Sequence, residues 1–151
     1  MIRKASRAVT VSALCTALLG GGLTLAASAP AATPAPKKAP ARYNAEEVHH
    51  FLEGFYGNHG PRPWERKHMV GDALKKRVEK NKKYDVLLCA QNAPRDIAIG
   101  RVTTAQSARV GWATVTTMWN RGPNQHFTAY VDLDASKPIK LTQIDCSPGR
   151  H

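Results

Sequence analysis

From Ile97 onward the chain is written as four runs rich in Val, Thr, Ile and aromatic residues, parted only by short linkers. The runs are Ile97–Thr104, Arg109–Trp119, Gln125–Leu133 and Ile139–Cys146. The linkers are Ala105–Ala108, Asn120–Asn124 with its Gly-Pro, and Asp134–Pro138. β-Branched and aromatic side chains suit a pleated, half-buried surface. In the third run Phe127, Ala129, Val131 and Leu133 alternate with His126, Thr128, Tyr130 and Asp132, the period of a strand covered on one face. Connections this short suit antiparallel neighbours, whereas parallel pairing needs a long crossover. The last third is therefore expected to be an antiparallel meander of about four strands.

The preceding residues supply a cover for that sheet. Asn44 is a good helix cap, and Glu47 three positions on can close a capping box. Val48, Phe51, Leu52, Phe55 and Tyr56 follow at i, i+3, i+4, i+7 and i+8, one apolar stripe of a helix that Gly57 and Gly60-Pro61 stop. Asn58–Trp64, with two prolines, reads as a loop. A second helix is expected over Met69–Asn81, where Val70, Leu74 and Val78 recur every four residues and Lys75, Lys76, Arg77 and Lys80 cover the other faces. Tyr84–Ala90 is apolar and short; it either extends the helical layer or forms a buried strand, and Asn92-Ala93-Pro94 ends it. Helices first and strands after specify an α+β layer architecture.

The start of the chain reads differently. Met1–Thr10 is basic, Val11–Ala27 is apolar and uncharged, and small residues follow, so residues 1–31 are expected to be a signal peptide cut near Ala31. A retained anchor would need ~20 continuous apolar residues, and Gly20–Gly22 would weaken it. Leu14 before Cys15 argues against lipidation. Residues 32–42, rich in Pro, Ala and Lys, are expected to form a disordered spacer, leaving 43–148 as a single secreted domain with no stable membrane span. Of 22 Lys and Arg residues, Arg3, Lys4 and Arg7 fall in the signal, so 19 remain against 11 acidic residues, a net charge of +8 on 120 residues. Cys89 and Cys146 are then left as a pair, most simply a disulfide in an oxidising compartment. A metal site is the alternative, but no Cys-x-x-Cys or paired His lies near either residue.

The helix NAEEVHHFLEGFY, the second basic helix, the Asp85–Pro94 stretch and four terminal strands ending Ile144-Asp145-Cys146 together resemble one family. It comprises exported bacterial domains of unknown function within the nuclear-transport-factor-like, cystatin-related superfamily. The resemblance spans about Tyr43–Cys146 and implies two N-terminal helices packed on a curved antiparallel sheet, cone-like, with an apolar pocket. The superfamily holds isomerases, dehydratases, hydrolases, immunity proteins and interaction modules, so the fold does not choose the function.

Chemistry-bearing residues are few. No His-Glu-x-x-His, Gly-x-Ser-x-Gly or phosphate-cradling glycine loop exists, and no cofactor or metal is implied. His49 and His50 diverge by ~100° around a helix and cannot share a metal. His49 and Glu53 form an i, i+4 pair best read as a solvated face, while His59 and His68 fall in or beside loops. His126, Tyr130 and Asp132 share one strand face and would form a catalytic cluster if that face were concave; the simpler expectation is a polar outer face. Phe55, Tyr56, Trp112 and Trp119 are candidates to line a ligand pocket. Lys75, Lys76, Arg77, Lys80, Lys82 and Lys83, with Glu79 the one acid among them, form a patch suited to an anionic envelope polymer or an acidic secreted protein. Aromatics do not interleave the patch, which argues against nucleic acid. The leading expectation is a secreted, disulfide-stabilised binding domain. Its rivals are a small-molecule isomerase or hydrolase using a cone-shaped pocket, and a secreted inhibitor or immunity-type protein.

Overall fold

The computed structural model describes residues 41–147. The expected signal peptide and most of the expected spacer lie outside the described residues. At its start the domain is pinned at once. Arg42 bridges to Asp134, Tyr43 N donates to Leu133 O at 2.9 Å, and the Tyr43 hydroxyl donates to Lys137 O at 2.8 Å. Among the described residues, Ala41 and Arg42 at the end of the expected spacer already make folded contacts, with Ala41 O accepting from Ala135 N at 3.3 Å.

Helix α1 (Ala45–Tyr56) has the expected capping box, with Asn44 Oδ1 accepting from Glu47 N at 2.9 Å and Glu47 Oε2 accepting from Asn44 N at 2.8 Å. Its stripe, Val48, Phe51, Leu52, Phe55 and Tyr56, is buried. A helix α2 (Pro63–His68) then occupies the end of the expected loop. Pro63 acts as its first residue, where the missing N–H is no loss and the fixed φ is already helical. Helix α3 (Asp72–Lys80) begins three residues later than expected, because Val70 is engaged in a parallel bridge to Leu141. Tyr84–Ala90 is neither helix nor strand. It is a tight loop closed by Asp85 N donating to Ala90 O at 2.8 Å, with Val86, Leu87 and Leu88 buried and Cys89 at φ 51°.

Five strands follow: β1 (Asp96–Ile99), β2 (Thr103–Ala105), β3 (Val110–Met118), β4 (Gln125–Asp132) and β5 (Leu141–Asp145). All pair antiparallel, in the order β1-β3-β4-β5, with β2 also on β3. The first expected run is thus two strands. Ile99 pairs with Val115 and Thr103 with Trp112, so residues 100–102 stand opposite only 113 and 114, a bulge of one extra residue. The bulge resets the alternation: Ile99 packs toward the core, Val102 turns inward at 9% exposure, and Thr103 faces out.

The inward side chains of β3 and β4, among them Ala113, Val115, Phe127, Ala129 and Val131, meet α1. Gly111 makes room for Leu133 and Val131: a Cβ there would lie 2.9 Å from Leu133 Cδ2 and 3.3 Å from Val131 Cγ2, and in ordinary contact with Val48 of α1. The Tyr56 and Phe127 rings meet at 5.8 Å. The side chains that face this interior are almost wholly out of solvent. Helix α3 packs along β5, and Cys146, just past β5, is joined by a disulfide to Cys89, their Cα atoms 5.5 Å apart.

Candidate anion-binding groove

Leu74, 2% exposed, anchors one side of α3, and Val78 packs half-buried beside it. The remaining faces therefore point outward with their charges. At the C-terminal end Asn81 N donates to Arg77 O and Val78 O, while Asn81 Oδ1 accepts from Lys83 N at 3.0 Å. That side-chain turn folds Lys82 and Lys83 back beside the last helical turn. The result is an open groove of about 750 Å³ in which Lys76, Arg77, Lys80, Lys82 and Lys83 stand around Ala73 and Asn81. Lys75 is not among them. It lies on the opposite side of α3, half-buried in a cleft of about 310 Å³ against α2, its Nζ 3.8 Å from Asp72. A helical period of about 3.6 residues sets neighbours in sequence on different faces, so the expected patch of six is a groove of five.

Arg77 donates from Nη1 to Ile144 O at 2.8 Å, which ties the groove to β5. Among the described residues, none of Lys76, Lys80, Lys82 and Lys83 has a carboxylate within 4.0 Å. Arg77 and Lys80 complement the partial negative charge at the end of α3, but Lys82 and Lys83 lie beyond the helix. The other end of the sheet behaves differently. There Lys137 Nζ lies 3.2 Å from Asp132 and 3.5 Å from Asp134, and Arg109 Nη2 lies 2.8 Å from Asp134. Hydrogen bonds from Ser136, aided by the Arg109 and Lys137 charges, lower the Asp134 carboxyl to about 2. The hydrogen bond and charge of Asp132, with Asp134 adding to them, push the Lys137 ammonium above its ordinary value.

The other candidates are dispersed. His126, Tyr130 and Asp132 do share the outer face of β4, but six residues of strand span about 20 Å, and each has its own neighbour. His126 Nδ1 is 2.9 Å from Thr116 Oγ1, the Tyr130 ring is 6.4 Å from Trp112, and Asp132 belongs to the Arg109–Lys137 network. They do not converge on a common point. Phe55 and Tyr56, 1% and 0% exposed, are core side chains. Trp112 is half-buried on the outer face, and Trp119, just past β3, packs against the core edge. His49 and His50 both approach Glu53 at 3.4 Å on the solvent side of α1. His59 Nδ1 lies 3.3 Å from Pro94 O, and His68 Nδ1 lies 2.8 Å from Trp64 O. Among the described residues no three His, Cys, Asp or Glu side chains gather as a metal site.

Two features escaped the sequence reading. Trp64 is 62% exposed on α2, its ring 4.7 Å from that of His68. Beneath it Glu65, 5% exposed, accepts from Arg62 Nη2 at 2.6 Å; that hydrogen bond holds the Glu65 carboxyl below its ordinary range. Arg66 pairs with Asp85 and donates to Pro61 O, fixing the loop that carries Cys89. The Tyr56 hydroxyl and Glu65 Oε2 are buried without a hydrogen-bond partner among the described residues. Burial, then the Asp85 charge, raises the Tyr56 hydroxyl well above its ordinary value. Recognising α2 through Pro63 would have placed Glu65 and Arg66 on a helix against this loop.

Comparison with protein-family models, with curated proteins and with solved structures finds no match to this chain. Among the described residues no helix is long and apolar enough to cross a membrane.

Proposed function

We propose that this is an exported binding domain whose α3 groove holds an anionic cell-envelope polymer by charge. The observation that carries the reading is the groove itself: five cations about one concavity, four of them with no carboxylate neighbour among the described residues, on a molecule that pairs Arg109 and Lys137 elsewhere. Unneutralised charge in a concave surface raises the local concentration of counter-charged ligand. The solvent-shielded apolar side chains between α1 and the sheet suit a packed core, which favours recognition at the surface over catalysis there. The Cys89–Cys146 bridge suits an oxidising compartment. Kinship with the nuclear-transport-factor-like superfamily belongs to the same proposal and is supported by element order and by α1 lying on the inner sheet face. An acidic protein partner would use the same cations.

Binding of polyphosphate at about 0.05 M and about 0.5 M salt tests it. Lys80→Glu, Lys82→Glu and Lys83→Glu combined should weaken low-salt binding by more than about tenfold. Arg101→Glu, a single exposed reversal in the β1–β2 bulge, is the control and should change it by less than about twofold. Equal loss per charge in both variants would mean diffuse attraction by a basic protein, with no groove. Wild-type protein that ignores polyanions at both salts would leave the acidic protein as the partner.

A further inference from the structure

A separate concavity, of about 470 Å³, opens where the disulfide loop faces the β3–β4 connection. Its walls bring together chain segments some thirty residues apart: Tyr84 and residues 89–92 on one side, residues 119–125 on the other. The size falls within the range of small-ligand sites. Its lining mixes two aromatic rings with three amides and a guanidinium, which suits neither a lipid chain nor a bare phosphate. Tyr84 and Trp119 are half-buried rings, whereas Gln91, Asn92, Arg121 and Gln125 are exposed. Among the described residues none of those four side chains has a hydrogen-bond partner within the protein.

Chemistry narrows the ligand. Three primary amides each offer an acceptor and two donors, the complement of neighbouring hydroxyls that both give and take hydrogen bonds. Flanking aromatic faces can pack against the C–H face of a ring. One guanidinium with no lining carboxylate fits a carboxylate in a two-point contact. Both walls are held in advance, one by the Cys89–Cys146 bridge and the Asp85–Ala90 pairing, the other by the hairpin turn through Gly122. Less ordering is then needed on binding. Lys83 lines the basic groove and Tyr84, the next residue, lines this cavity.

We propose that this cavity is a sugar subsite, taking one carboxylate-bearing saccharide ring of a polymer whose further charges lie along the α3 groove. The assignment rests on the groove reading for the polymer's charge, but the recognition of its sugar is separate. It names the ligand as a carboxylated polysaccharide, distinct from a phosphate chain.

Titration of the intact domain with oligogalacturonate, polyphosphate and neutral cello-oligosaccharide, followed by calorimetry and tryptophan fluorescence, tests it. The wild type should bind oligogalacturonate with a change in emission that Trp119→Phe removes while Trp64 and Trp112 remain. Asn92→Ala with Gln125→Ala, both exposed and without a side-chain hydrogen bond among the described residues, should weaken oligogalacturonate at least tenfold and leave polyphosphate unchanged. Arg121→Ala should erase the preference for oligogalacturonate over the neutral sugar. Unaltered oligogalacturonate affinity in the Asn92/Gln125 variant, or wild-type binding of polyphosphate alone, overturns the sugar subsite and leaves the groove standing. Oligogalacturonate binding that survives charge reversal of Lys80, Lys82 and Lys83 overturns the groove and leaves the subsite standing.

Discussion

At Tyr56 a single side chain carries opposed requirements. Its ring belongs in the core against Phe127, yet its hydroxyl is buried there with no partner among the described residues. An unpaired buried hydroxyl costs about 1–3 kcal/mol, so Tyr56→Phe should leave stability unchanged or raise it by about 1 kcal/mol, read from the urea midpoint. A loss above about 1 kcal/mol would mean the hydroxyl is satisfied in solution. The stripe containing Tyr56 was legible because helical spacing fixes which positions share a face. That the Phe55 and Tyr56 side chains are buried in the core was not legible, since it depends on Gly111 and Phe127 more than fifty residues away. Trp64 shows the converse: its exposure follows from where α2 ends up, which no local pattern reveals.

Elements were read best where one period runs long enough to be counted. β3, β4 and β5 fall within the expected runs, but the first run breaks at residues 100–102, because Val102 and Ile99 can both reach the core only if one residue is bulged out. Helix α2 has six residues, too few for a hydrophobic period, and its Pro63 looks like a breaker until it is seen at the first helical position. The β4–β5 connection carries a prediction of its own. Asp134 titrates at about 2, below the ordinary 3.8, so its contribution to stability is complete above pH 4 and disappears as pH falls through 2. Asp134→Asn should therefore melt below the wild type at pH 5, with the gap closing between pH 4 and pH 2. A gap of constant size across that window would show that the charge is not what Asp134 contributes.

Over the whole molecule, the α+β class, the helix-before-sheet order and the cysteine pair were legible, since each follows from patterning or from counting. The groove was legible only as a run of charge; the departure of Lys75 required the helix phase, and the cavity beside Trp119 required the tertiary approach of two loops. Closing 57 residues with one bridge should contribute about 4 kcal/mol in the chain-entropy model. Replacing Cys89 and Cys146 together by Ser should lower the denaturant midpoint accordingly, and an unmoved midpoint would mean the closed loop is ordered without it. Both sheet margins are also guarded. The β1–β2 side is interrupted by its bulge, and β5 is met by residues 69–71 through Gly71 N to Leu141 O and Leu141 N to Met69 O. Neither offers a long bare edge for another chain to join.

The sulfur link has one more outcome. Gln106, Ser107 and Ala108, and the Asn120–Asn124 turn, are exposed loop segments of the kind a protease snips. Both lie inside the span that Cys89 and Cys146 enclose, so a nicked molecule keeps its two fragments fastened to each other and its lysine-rich end attached to the ribbon that steadies it. Only a reductant would let the pieces drift apart.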